Sequence, residues 1–138
     1  MIGASTLEVA AHEAAHGAAA AVLGRRLMYV SRNLTNCGES FSLQKYGADP
    51  LDGVVVLLAP IYAAPSSRYL AIRDIGVARA LRQDHGVDVS EALSRAETLV
   101  TQPDFRRAFR IIEHGLWSRP VLTGDELALM LSLDEETT

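Results

Sequence analysis

Cysteine occurs once in 138 residues, as Cys37, so no disulfide can close within the chain and the fold must rest on its core. That usage suits a reducing compartment. Cys37 sits in a polar stretch with no histidine close in sequence, which makes it a poor nucleophile candidate. Long apolar runs are also lacking. The longest, Val54 to Pro65, falls short of the roughly 20 residues a membrane-spanning helix takes, so a buried core helix is expected there. The N-terminus has no basic segment of the kind that opens a secretory signal, and its alanine run is broken by His12, Glu13 and His16. A soluble, cytoplasmic protein without a membrane segment is the expectation. Basic charge is scarce too, with 13 Lys and Arg against 17 Asp and Glu and a formal charge of −4. The densest basic group, Arg106, Arg107 and Arg110, reads as a solvated helix face, so no nucleic-acid partner is expected. There is no GxxxxGK(S/T) phosphate loop, internal repeat or low-complexity linker. One domain over residues 1–133 is expected, with an acidic tail at 134–138 expected to be disordered.

What the chain does have is Ala11-His12-Glu13-Ala14-Ala15-His16, an HExxH pattern. Histidines four apart on a helix stand one turn above each other, with Cβ atoms about 5–6 Å apart, so both imidazoles can reach one ion. Zn2+ fits that bite. Glu13 is turned about 100° around the axis from His12, beside the ion's open position, where a general base can take a proton from water. The competing reading is a pair of core histidines satisfied by hydrogen bonds. The helix itself is well marked: Ser5 and Glu8 form a capping box, the helix starts near Thr6, alanines fill it, and Gly24 stops it at about Leu23.

Further along, Leu27 to Val30 has strand-type residues, Asn33 to Ser40 reads as a polar turn, and Phe41 to Tyr46 suits a returning strand. Such a pair must lie on the helices to be stable, and an exposed edge there can accept an extended peptide. Asp49-Pro50 opens an apolar helix that Pro60 kinks and that ends before Pro65. Residues 66–85 carry a helical apolar pattern ending at Gly86. Asp88 and Glu91 cap a helix to about Val100, Pro103 opens the next, and Thr123 and Glu126 cap the last. The fold class is therefore mainly α (α+β), with a small hairpin or short sheet after the HExxH helix.

A catalytic zinc takes three protein ligands and a water. Ala19 and Val22 stand where an HExxHxxGxxH site needs glycine and histidine, which excludes that class. Glu91, Glu97, Asp74, Asp84, His85, Asp88 and His114 remain as third-ligand candidates.

The segment Val9 to Leu23, VAAHEAAHGAAAAVL, resembles the HEAGH-containing helix of the FtsH-type ATP-dependent zinc metallopeptidases. VVVLLAPIYAA, from Val54 to Ala64, resembles that family's apolar helix and the GGRAAE-like element ending it. Asp74-Ile75-Gly76-Val77-Ala78-Arg79-Ala80 is similar to its aspartate-led helix, and Leu122 to Leu127 to its closing LTGEEI segment. The resemblance implies a helical peptidase domain in which His12, His16 and Asp74 bind Zn2+ and Glu13 is catalytic. Three departures stand out. Ala15 replaces the motif's glycine, Ala59 to Ala64 carries neither a glycine pair nor an acid, and the interval from His16 to Asp74 is short.

The expected activity is hydrolysis of peptide bonds in a polypeptide that is already unfolded or flexible, since no ATPase motor lies in these residues. A homo-oligomer or a separate delivery partner are the assemblies left open. The alternative is a catalytically inactive, peptidase-like binding module acting through a protein partner. Metal-assisted hydrolysis of a non-peptide is the third reading.

Overall fold

The computed structural model describes residues 6–25, 27–32, 39–42, 50–66 and 71–137. In order they form α1 (Thr6–Val22), β1 (Leu27–Ser31), β2 (Glu39–Ser42), α2 (Pro50–Ala63), α3 (Ala71–His85), α4 (Val89–Leu99), α5 (Pro103–Ser118), β3 (Val121–Thr123) and α6 (Gly124–Thr137). The chain is mainly helical with a small sheet, as its patterning predicts.

Alanine explains the place of α1. Ala10, Ala14, Ala15, Ala18 and Ala19 are fully buried, and their small side chains let α2, α5 and β1 approach the helix closely. At Gly17 the approach is tight: an added Cβ would lie 3.1 Å from the Val30 side chain and 3.3 Å from that of Ile112. The chain then leaves the helix through Gly24, whose φ of 74° suits a residue without a Cβ.

Two apolar clusters meet along α1 and α2. Phe105, Ala108, Ile112 and Leu116 of α5 join the alanines of α1, Val30, Leu122 and Leu127 in the first. Val54, Val55 and Leu58 of α2 join Ala78, Ala92 and Ala96 in the second. Fully burying a side chain the size of Phe105 or Ile112 contributes about 1.5–3 kcal/mol, so the larger α5 residues stabilise the first cluster most. Partly buried Leu99 packs against both.

Local signals set the helix starts. The Asp88 carboxylate accepts from Glu91 N at 3.1 Å at the head of α4, and Pro103 takes the first turn of α5. At α6 the capping box is reciprocal: Glu126 N donates to Thr123 Oγ1, and Thr123 N to the Glu126 carboxylate, both at 3.2 Å. The caps expected from Ser5 and Asp49 lie outside the described residues. The helix α2 runs through Pro60 and ends at Ala63, before Pro65.

The sheet is larger than a hairpin. Its order is β2-β1-β3, antiparallel throughout, with Tyr29 opposite Phe41 and Thr123, and Val30 opposite Ser40 and Leu122. Patterning gave no sign of β3, because three residues are too few for an alternation to register. β3 leads straight into α6, and a Cβ at Gly124 would collide with the Leu27 carbonyl. β2 begins at Glu39, inside the stretch expected to be a turn. The rest of that turn and residues 43–46 lie outside the described residues. At the acidic end of the chain α6 continues to Thr137, where a helix already nucleated by its capping box needs only one further hydrogen bond for each residue it adds. Among the described residues no helix is long and apolar enough to cross a membrane.

Candidate metal centre

The middle of α1 is buried nearly all round, and His12, Glu13 and His16 lie there. His12, Glu13 and His16 are 2%, 4% and 6% exposed. Buried groups of this kind need partners, and those of the histidines come from the neighbouring helices. Asp74, in the first turn of α3, places Oδ2 3.0 Å from His12 Nε2 and 3.1 Å from His16 Nε2. The two Nε2 atoms are 3.2 Å apart, with the rings edge to face at 83° and centroids 4.8 Å apart. Asp74 thus lies inside the helix rather than at its N-cap, and its side chain is half-buried.

Three donor atoms therefore form a nearly equilateral triangle with edges of 3.0, 3.1 and 3.2 Å. Zinc held tetrahedrally at its usual bond lengths of about 2.0–2.2 Å needs ligand atoms about 3.3–3.5 Å apart. The residues fit that ion after small adjustments. Glu13 stands close by without belonging to the triangle: a carboxylate oxygen and an imidazole nitrogen of each histidine all lie within 4.8 Å of one another.

The tautomer of His16 sharpens the fit. Its Nδ1 is 2.8 Å from the Val56 carbonyl oxygen in α2. A carbonyl only accepts, so Nδ1 carries the proton, and a neutral His16 turns the Nε2 lone pair towards Asp74 and His12. Lone pairs facing one another require a cation or a proton between them.

The electrostatics agree with one bound proton when no metal competes. Burial works against the His16 imidazolium. The hydrogen bond and charge of Asp74, the charge of Glu13 and the Val56 carbonyl outweigh burial and raise its pKa to about 9. His12 moves the other way: burial pushes it down, and the positive charge of His16 outweighs part of the opposing help from Asp74. Burial would raise the Asp74 pKa, but the hydrogen bonds and charges of both histidines hold it well below the usual carboxylate range.

A pH dependence follows. His16 has a folded pKa above its unfolded value, so its share of metal-free stability is complete below about 6.5 and is lost as pH rises through about 9. Zinc bound there would have to displace that proton. Apparent zinc affinity, measured by chelator competition, is expected to rise about tenfold per pH unit from 7 to 9 and to level off above. An affinity that stays flat across that window would contradict a proton held on His16.

The other third-ligand candidates lie elsewhere. Asp84, His85, Glu97 and Asp88 are exposed, and Asp88 caps α4. Glu91 pairs with Arg95 at 2.9 Å, and His114 stacks on the half-exposed Trp117 with ring centroids 4.3 Å apart. Arg106 and Arg110 are exposed as expected, while half-buried Arg107 donates to the Leu131 carbonyl at 3.2 Å. Sequence reasoning missed the Val56 carbonyl. The available signal was Pro60, four residues on, because proline brings no N–H to that carbonyl.

No family model matches the chain, and no curated protein matches it.

Proposed function

We propose that this chain is a zinc-dependent endopeptidase in which His12, His16 and Asp74 hold the ion and Glu13 is the general base. The observation that carries the reading is the convergence of two imidazole nitrogens and a carboxylate oxygen within 3.2 Å of one another. Zinc held there supplies a Lewis acid that brings the pKa of water towards neutrality and polarises a scissile carbonyl.

Everything else is done by side chains. Two neutral imidazoles and one carboxylate would cancel only one of a zinc ion's two charges, and once Glu13 has taken up a proton the remaining positive charge would favour the developing oxyanion. Glu13 accepts the proton of the attacking water at its carboxylate and returns it to the departing amine nitrogen. Burial keeps Glu13 away from bulk water.

Within this reading the chain is a divergent relative of the FtsH-type metallopeptidases. The succession of an HExxH helix, an apolar helix, a helix with Asp74 in its first turn and a Thr-capped closing helix supports that kinship. The substrate is an unfolded or flexible polypeptide, and β2, the outer strand among the described residues, is the sheet edge on which extended backbone would pair. A cytoplasmic setting goes with the single cysteine. A homo-oligomer, or a separate partner that delivers substrate, goes with this reading.

One observation favours a second reading. The segment Ala59 to Ala64, the end of α2 and the residue after it, carries no carboxylate. That departure fits a peptidase-like module that keeps the ion and recognises a protein partner without cutting it. Digestion of unfolded casein decides between the two. The peptidase reading expects cleavage that a zinc chelator abolishes and added zinc restores. Stoichiometric zinc with no cleavage, chelator or not, would favour the binding module.

A further inference from the structure

The Val56 carbonyl that holds His16 belongs to the interior of α2. In an uninterrupted helix it would accept from the N–H four residues on. Here that residue is Pro60, which has no N–H and whose ring crowds the carbonyl four residues before it. Pro60 is fully buried at a helical position where proline is costly, with the helix continuing on both sides of it and Ala64 N donating to its own carbonyl at 2.9 Å. The carbonyl left over is the one 2.8 Å from His16 Nδ1. A histidine that ligates through Nε2 needs such an acceptor for Nδ1–H, which sets both tautomer and ring orientation.

We propose that Pro60 is a positioning residue for the metal centre: its missing N–H reserves the Val56 carbonyl for His16 Nδ1–H, which aims Nε2 at the ion. The inference rests on the zinc-site reading. It explains why a helix-breaking residue sits within a helix that is otherwise apolar and well packed, since strain in one element is retained where it organises a site. It also gives Ala59-Pro60 a role of its own where the FtsH-type family carries a glycine pair.

The test is Pro60→Ala, which restores an N–H facing the Val56 carbonyl while improving helix propensity. Two readouts separate positioning from simple structural support. By chelator competition, zinc affinity is expected to fall about ten- to hundred-fold, while the unfolding midpoint of the metal-free protein stays at or above the parent's. By NMR of the metal-free protein, the His16 Nδ1–H resonance is expected to move upfield and exchange faster as its acceptor is shared. Replacing residue 60 with the hydroxy-acid analogue of alanine, which again lacks the N–H, is expected to restore both. An unchanged Nδ1–H resonance in Pro60→Ala would overturn the proposal, whether or not zinc binds. So would zinc affinity equal to the parent's, or a loss of affinity that the hydroxy-acid analogue fails to restore. A parent protein that takes up no zinc would instead defeat the zinc-site reading, and the resonance would still report on Pro60.

Discussion

Glu13→Gln is expected to slow casein cleavage by about 10²- to 10⁴-fold while zinc still binds one to one. Glutamine matches glutamate in shape, so the α1 packing around the buried side chain survives. What it loses is the ability to take a proton. The three atoms that converge within 3.2 Å belong to His12, His16 and Asp74, so zinc retention does not depend on Glu13. Cleavage by Glu13→Gln at the parent's rate would remove Glu13 from the base role. Loss of zinc together with activity would instead put its carboxylate among the ligands.

Asp74→Ala is expected to weaken zinc binding by more than about a hundred-fold, since even the partners of ligands cost ten- to hundred-fold when removed. Asp74 is the one anionic member of the triangle and touches both imidazoles. Without it the two histidines face each other with no anionic ligand between them. The same substitution at Glu91 or Glu97, both exposed on α4, is expected to leave zinc affinity unaltered. Chelator competition with far-ultraviolet circular dichroism as a folding control checks this series. Undiminished zinc affinity in folded Asp74→Ala would show that another group completes the shell.

These two expectations depend on features of unequal visibility in the chain. The helix carrying His12, Glu13 and His16 was readable because its signals are local: apolar spacing, alanine content and a glycine at its end. The caps at Asp88 and Thr123 were readable for the same reason, as each pairs residues three apart. Asp74 is different. It lies 58 residues from His16, and no local pattern distinguishes it from the other acids; only the resemblance to a known family singled it out.

Features made by tertiary structure stayed hidden. β3 exists because β1 offers it a partner 92 residues away at Val30 and Leu122, and three residues carry no period of their own. The helical continuation to Thr137 runs against the unfavourable pairing of acids with a helix C-terminus, so charge alone pointed the other way. The link from Pro60 through Val56 to His16 joins a backbone vacancy in one helix to a ring in another. Its first half can be deduced from proline chemistry, but its second half needs the packing of α1 on α2.

In the proposed enzyme one ion is held at one place by His12 Nε2, His16 Nε2 and Asp74 Oδ2. Crystals grown with zinc and measured on both sides of the zinc absorption edge test it directly. One anomalous peak is expected about 2.0–2.2 Å from each of His12 Nε2, His16 Nε2 and Asp74 Oδ2. An anomalous map with no peak between those atoms, in crystals where the two rings still face Asp74, would contradict it.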